Sequence, residues 1–464
     1  MKLLFILYFL LSAQYVFSQN IFKARVIDSV SHKALTGVNV FIRSLNKGVS
    51  SDLNGYVVIK NIPDGIYIIK FSYVGYESGK FQFKFPSPNQ NTIRVIYLKP
   101  QSIELNQIIV SSTRTENRIS NTPERVEVLG LDEVNEEIGI KPGNISKLLG
   151  ETSGVLLQQT SAASGNVAFR IQGLPSKYTQ LLSDGFPIYS GFSAGLSLLE
   201  IPPLNLQQVE VVKGSSSTLY GGDAIAGIVN LISKKPSPKP ELSILLNQTQ
   251  KGESDFSGYY SGRNNKLGLT FLSDYNIQKA VDFDHDGFTD IPEFQQVNVT
   301  PKLFYYIDNN QTLSEELSFS YDHRKGGDFF AVIGKPDSLH KYLLENKSVR
   351  FISALKYRYN FSGGNFLTFK NSLNSYYRKI NSLSDIFAGN QFSTFSELSY
   401  LLKLNKHKIV FGLNFNSDNF IQKQSPALNF DYNHYTIGLF SLDNWKISDN
   451  LIWQPGMRID YQNE

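Results

Sequence analysis

The chain has 464 residues, with 45 Lys plus Arg against 41 Asp plus Glu, a formal net charge of +4. That balance excludes a dedicated nucleic-acid binder, which carries a concentrated basic stripe. The absence of cysteine excludes disulfides, thiolate metal sites, Fe–S clusters and cysteine nucleophiles, and 33 Phe, 25 Tyr, 34 Gly and 18 Pro favour strands and turns over a helical bundle.

Met1-Lys2 is a short basic start, Leu3–Leu11 an apolar run, and Val16-Phe17-Ser18 a small-residue cleavage pattern before Gln19. This predicts a secretory signal peptide over residues 1–18. A membrane anchor needs about 20 apolar residues, and Gln14 interrupts the run too soon. No later window is apolar for that length, and no cysteine marks a lipoprotein site. Export without a membrane-spanning helix is expected.

Residues 21–98 read as a first unit of short strands and turns. Val38–Ile42 alternates, Asp52-Leu53-Asn54-Gly55 turns into Tyr56–Ile59, and Pro63-Asp64-Gly65 precedes the strand Ile66–Tyr73. Strands at this spacing predict a small β-sandwich. The pattern V-x-D, L-x-G-V-N-V, S-D-x-N-G, I-P-D-G-x-Y-x-I, Y-V-G-Y resembles the carboxypeptidase regulatory-like domain. The resemblance implies a non-catalytic accessory sandwich, since no H-x-x-E zinc pair is present; His32 reads as a solvated turn residue.

After the polar linker Lys99–Leu105, residues 107–114 form a short apolar extended run between polar neighbours. Such a segment suits strand addition to a partner's sheet edge, where backbone bonds supply the affinity. From 115 to 236 short helices and strands mix. Asn144–Leu149 reads as a capped helical turn, Asn166–Gly173 as a strand ending at glycine, and Gln180–Ile188 as a strand pair around Asp184-Gly185. Val209–Gly214 and Ala226–Ile232 are further strands.

The ordered series IIVSSTR, FRIQGL, LLSDGFPI and QVEVVKGSSSTLYGGDAIAGIVNLISKKP resembles the TonB box and plug domain of TonB-dependent outer-membrane receptors. The resemblance implies a TonB box at Ile108, Ile109, Val110, Ser111 and Ser112. It implies plug-motif positions at Arg170, Gly173, Asp184, Gly185, Glu210, Lys213, Gly214, Tyr220, Gly221 and Gly227. Of these, Arg170, Glu210 and Lys213 are expected to make polar contacts in the plug core, and the glycines fit turns or close backbone approach.

The 224 residues from 241 to 464 change character. Val297, Val299, Leu303, Tyr305 and Ile307 face one way, and Asn298, Thr300, Lys302 and Asp308 the other. The same alternation sets Val349, Phe351, Leu355, Tyr357, Tyr359 and Phe361 against Arg350, Lys356, Arg358 and Asn360. It recurs between Ile409 and Asn416. Segments of about 10 residues, apolar outward and polar inward, predict an antiparallel transmembrane β-barrel, and roughly 20 residues per strand and connection gives about eleven strands. Short turns at Asn264-Asn265 and Asp308–Gln311 alternate with longer loops at 279–294 and 325–347, as periplasmic turns alternate with extracellular loops. The resembled family implies roughly twenty-two strands and an aromatic terminus. The sequence ends at Glu464, inside a strand, so a fragment of a longer receptor is expected.

The loop Asp282-Phe283-Asp284-His285-Asp286-Gly287-Phe288-Thr289-Asp290-Ile291-Pro292-Glu293 places Asp282, Asp284, Asp286, Asp290 and Glu293 at the spacing of a calcium loop, with glycine at the sixth position. Strand flanks and Pro292 separate it from a helical EF-hand, and His285 is not at a ligand position. A solvated acidic loop is the other reading. Aspartate-rich loops also occur in the cobalamin-type receptors that the chain resembles. Gly191-Phe192-Ser193-Ala194-Gly195 matches a hydrolase nucleophile elbow, which is meaningful only between a strand and a helix; inside the plug series it reads as a flexible loop. Inward Arg350, Lys356 and Arg358 read either as a basic lumen patch for anionic ligands or as a solvated wall of mixed charge.

The fold expected is therefore mostly β: an N-terminal β-sandwich, an α+β plug domain and a partial barrel of about eleven strands. The resemblance implies energy-coupled uptake of a scarce ligand, a ferric siderophore or cobalamin, by a receptor in the outer membrane of a Gram-negative bacterium, without enzymatic activity. Partners would be TonB with its inner-membrane energising complex, outer-membrane lipid and an extracellular small molecule. Ligand contacts are expected in the loops 158–165 and 189–195, at Gln159, Ser161, Tyr189 and Phe192. A glycan or peptide importer and a surface adhesin are the alternatives.

Overall fold

The structure is a computed structural model that describes residues 20–463 except 74, 75, 77, 88–91, 100–108, 120, 121, 189, 190, 384, 425–428 and 450. The expected signal peptide, Ile108 and Tyr189 lie outside the described residues. The chain divides into two compact units, at Ile108 and Ile109.

The first unit is a β-sandwich. Asn20–Asp28 pairs antiparallel with Tyr56–Ile62 and parallel with Arg94–Leu98. The second sheet runs Lys47–Ser50, Asn39–Ile42, Gly65–Ser72, Gly79–Phe85. Period-two alternation puts Phe22, Ala24 and Val26 from one sheet against Val40, Ile42, Ile69 and Phe71 from the other. Asp52 shapes the turn before Tyr56: its Oδ1 accepts the amides of Asn54 at 2.9 Å and Tyr56 at 2.8 Å.

The second unit holds a plug and a wall. The plug's main sheet has the spatial order Arg125–Leu129, Leu206–Lys213, Gly227–Ser233, Thr179–Ser183, Phe186–Pro187. Its central strands are covered on both faces: Val209, Val211, Val229 and Leu231 share one core with Leu149 and Ile171, while the other face buries Glu210 and Asn230 beside Val212 and Ile228. Gly227 has φ +147°, and a Cβ there would lie 2.1 Å from the Val212 carbonyl oxygen, so only glycine fits. The hairpin turn places Asp184 at φ +48° and Gly185 at φ +81°, the left-handed pair that a two-residue turn requires. Val155–Ser161, Asn166–Ile171 and Leu174–Pro175 form a second small sheet. The helical turn expected at Asn144–Leu149 forms as Ser146–Gly150, with Asn144 Oδ1 accepting the Ser146 amide at 3.1 Å.

The wall is a next-neighbour antiparallel sheet that begins at Glu241–Gln248 and runs in chain order to Tyr432–Ser448. Leu451–Trp453 and Gly456–Asn463 pair with successive stretches of Tyr432–Ser448. They form one edge strand interrupted at Pro455, which has no amide hydrogen for the ladder. The twelve named strands are thus eleven staves, as the spacing predicts, and the sheet does not close.

Strands such as Leu343–Asn360, with 18 residues, and Asp385–Leu404, with 20, exceed the expected length. In Leu343–Asn360 the outward residues from Val349 onward are apolar or aromatic except Ser353, which bonds Glu315 on the neighbouring strand, while Glu345 and Lys347 extend the ladder past the apolar band. The expected loops contract accordingly, to 279–292 and 328–342. Inward and outward assignments hold within the strands: Phe351, Leu303 and Phe411 are exposed, whereas Arg350, Asn298 and Asn414 are buried. Ile307 and Asp308 lie instead in the turn before Gln311, where Asp308 Oδ1 accepts the Asn310 and Gln311 amides at 2.7 and 2.8 Å. No helix among the described residues is long and apolar enough to cross a membrane.

Candidate functional site

The segment after Ile108 folds back on itself and is held by the plug. Ile109–Val110 pairs antiparallel with Asn117–Arg118. Glu210, fully buried on the plug's central strand, turns its carboxylate to this segment. One oxygen accepts the Ser111 amide at 2.9 Å and the Ser111 hydroxyl at 3.0 Å, and the other accepts the Ser112 amide at 2.8 Å. A buried carboxylate needs such donors, and bonds to an ionised acceptor are the stronger kind. Gln208 Nε2 donates to the Ile109 carbonyl at 3.2 Å, and the Tyr220 hydroxyl to the Ser112 carbonyl at 2.7 Å.

Asn230 connects this grip to the Asp184-Gly185 turn. It sits opposite Glu210 in the ladder. Its Nδ2 donates to Ser111 Oγ at 3.2 Å and Glu210 Oε2 at 3.3 Å, while its Oδ1 accepts the Gly185 amide at 3.1 Å.

Ion pairs tie the plug to the wall. Arg114, at φ +58°, pairs with Glu397, donates to the Leu219 carbonyl at 2.9 Å, and stacks over the rings of Tyr220 and Phe440. Lys370 reaches Glu397 at 3.4 Å and the Gly185 carbonyl at 3.0 Å. Asp184 pairs with Lys302, which also binds Glu316 at 2.9 Å. Glu200 pairs with Arg350 at 3.0 Å, and Glu116 with Arg358. The basic lumen patch is therefore mostly neutralised: of Arg350, Lys356 and Arg358, two are paired with plug carboxylates.

The remaining sequence-nominated residues fall in several places. Lys213 pairs with Glu127 within the main plug sheet. Arg170, on the smaller sheet, donates to Gln158 Oε1 at 2.8 Å. Gly173, Gly214 and Gly221 all have positive φ. Gln159 and Ser161 lie at the end of Val155–Ser161, whose following turn meets the wall: the Ala163 carbonyl occupies the space that a Cβ on Gly326 would fill. The Phe192 ring packs against Phe420, Phe387 and Tyr376, at centroid distances of 4.9, 5.6 and 5.8 Å, so wall aromatics surround it. Ser193 lies in the 3-10 segment Gly191–Glu200, and its amide donates to Gln391; the strand-to-helix setting of a nucleophile elbow is not formed there.

In the acidic loop, Asp282, Asp284 and Asp290 each bring one carboxylate oxygen within 4.8 Å of the others. Glu293 instead pairs with Lys325 at 3.4 Å, and Asp286 stands outside the cluster. Asp282 Oδ1 is buried with no hydrogen-bond partner among the described residues, an oxygen free to ligate a cation.

Sequence reasoning did not single out Arg114, Asn230, Glu200, Lys370 or Glu397. The one legible signal was a charged residue at an inward strand position, where burial demands a partner.

Residues 118–228 match the TonB-dependent Receptor Plug Domain, and residues 23–110 the CarboxypepD_reg-like domain. The chain is 28% identical over 166 residues to the vitamin B12 transporter BtuB of Vibrio vulnificus (strain CMCP6), a stretch covering 35% of this chain and 27% of the transporter. Its fold is similar to that of the siderophore receptor PirA from Acinetobacter baumannii, with a TM-score of 0.60 and 18% identity over 75% of this chain and 58% of the receptor. It is also similar to a variant of the ferric enterobactin receptor PfeA from Pseudomonas aeruginosa, with a TM-score of 0.59 and 16% identity over 76% of this chain and 59% of the receptor. The matched region thus spans under two thirds of each relative. The matched plug, its buried glutamate and its seat against an eleven-stave wall together support a TonB-dependent receptor.

Proposed function

We propose that this chain serves energy-coupled uptake of a scarce ligand, a ferric siderophore or cobalamin, across a Gram-negative outer membrane. The observation that carries the reading is the grip of Glu210 on Ser111 and Ser112. Strand addition uses backbone amides and carbonyls, and here those of Ile109 to Ser112 are engaged by the plug. Handing the segment Ile108–Ser112 to TonB requires that these bonds exchange for partner bonds. A ligand bound at the long-loop end that shifts the Asp184-Gly185 turn would act on the same bonds, because Asn230 touches both.

TonB and its inner-membrane energising complex would then pull on the released segment, and the plug would rearrange within the wall to let the ligand pass. No covalent step is required of the receptor. The relatives' names support the ligand class: one is a vitamin B12 transporter and others are siderophore or ferric enterobactin receptors. The exposed apolar outer face of the wall supports a seat in lipid.

We also propose that the acidic loop takes calcium. Asp282, Asp284 and Asp290 would hold it, with the unpartnered Asp282 Oδ1 as one ligand.

Deleting Ile108–Val110 tests the coupling. Cells carrying the deletion should bind labelled ferric siderophore or cobalamin and fail to accumulate it. Uptake at the wild-type rate would refute coupling through this segment, and a surface adhesin would be indifferent to the deletion.

A further inference from the structure

Between the hairpin at Ser111–Glu116, the Asp184-Gly185 turn and the wall lies a polar pocket. Not every basic group around it has a partner. Arg358 pairs with Glu116, Lys302 with Asp184 and Glu316, and Arg114 and Lys370 share Glu397. Lys356 lines the same pocket and makes no hydrogen bond or ion pair among the described residues.

The wall's register sharpens this. Lys356 lies directly opposite Lys370 in the ladder, on the inward face, and like charges at such positions repel. Lys370 spends two of its three donors on Gly185 and Glu397, leaving one. Thr368 and Ser399, opposite one another on the next two staves, line the same pocket. Their hydroxyls also have no protein partner among the described residues. Two lysines, Thr368 and Ser399 thus line one pocket with donors to spare.

We propose that this pocket binds one compact inorganic anion, a halide or a phosphate, held by Lys356 and Lys370 with Thr368 and Ser399. The anion neutralises the lysine pair and fastens the plug turn to the wall.

The test uses the full-length receptor in detergent at fixed ionic strength, with gluconate replaced stepwise by bromide or by phosphate. The thermal midpoint of the wild type should rise and saturate. Lys356→Met should weaken the half-saturating concentration at least ten-fold, and Lys356→Arg should retain the response. A wild-type midpoint indifferent to both anions, or a response undiminished in Lys356→Met, overturns the proposal. Should Lys356→Met fail to fold, wild-type crystals soaked in bromide and in phosphate decide: an anomalous bromide peak or phosphate density within hydrogen-bonding reach of Lys356 Nζ supports the site, and the absence of both refutes it.

Discussion

Arg114 and Glu397 form an ion pair across the plug and the wall, with side chains only 5% and 0% exposed. The two charges are desolvated together, so each is tolerable only while the other is present. Removing one partner of such a pair costs about 3–5 kcal/mol, whereas replacing both with apolar groups is close to neutral. Glu397→Leu should therefore lower the stability of the seated plug by several kcal/mol, and Arg114→Met combined with Glu397→Leu should recover the Arg114 part of that loss, while Lys370, which shares Glu397, stays unpaired. Chemical unfolding of the purified receptor checks this. Additive losses in the double variant would show that the two residues act independently.

The Glu210 grip makes a kinetic prediction. Glu210→Ala removes two charged hydrogen bonds to the backbone of Ser111 and Ser112, each worth about 1.5–3 kcal/mol. A cysteine introduced at Ile109 should then react with a soluble maleimide at least ten-fold faster than in the wild-type background. Equal rates would mean that Gln208 and Tyr220 hold the segment without Glu210.

Backbone space makes a prediction at Gly227. A Cβ at φ +147° and 2.1 Å from the Val212 carbonyl has nowhere to go between two central strands. Gly227→Ala should destabilise the plug by roughly 2–3 kcal/mol or more, visible as protease cleavage within residues 118–228 while the wall stays intact. Gly173→Ala, with nothing within 4 Å of its Cβ position, should cost less, through its positive φ alone.

The acidic loop predicts a calcium response. Millimolar calcium should protect residues 279–292 from protease in the intact receptor, and Asp282→Asn should abolish that protection. Glu293→Gln should leave it unchanged, because Glu293 pairs with Lys325 and lies outside the cluster.

The sandwich carries its own pH dependence. The Tyr76 hydroxyl donates to Asp28 at 2.6 Å, and with the Ser31 and Val30 amides it holds the Asp28 carboxyl below its ordinary value. A depressed carboxyl stabilises the fold above its unfolded value, near 3.8, and that contribution disappears as pH falls through the folded value. Pulse proteolysis of the region 20–98 in urea should show its stability dropping below about pH 4. Tyr76→Phe should shrink that drop, and an unchanged profile in Tyr76→Phe would locate the pH dependence elsewhere.

Much of this architecture follows from local pattern. Val349 to Phe361 alternates because one face meets an apolar medium and the other a polar interior, and that period is written in the residues. Asp184-Gly185 and Gly227 announce turns and close approach because few residues tolerate those conformations. Strand ends were less legible. Glu345 and Lys347 break the apolar alternation, yet the ladder continues through them because backbone bonds do not depend on side-chain polarity.

The partners of the charges were decided by tertiary structure alone. Glu210 is expected from the sequence to make a polar contact in the plug core, but its partner, Ser111, lies 99 positions away and is brought to it by the fold. Arg114 and Glu397 lie on elements separated by the whole plug, and nothing near either one in sequence predicts the other. Phe192 reads as a ligand contact in the sequence, and only the fold shows Phe420 and Phe387 packed against it. Period and turn chemistry are local consequences of backbone sterics and solvation, so the sequence states them directly. Which buried charge meets which depends on how distant strands register, and only the assembled sheet and plug fix that.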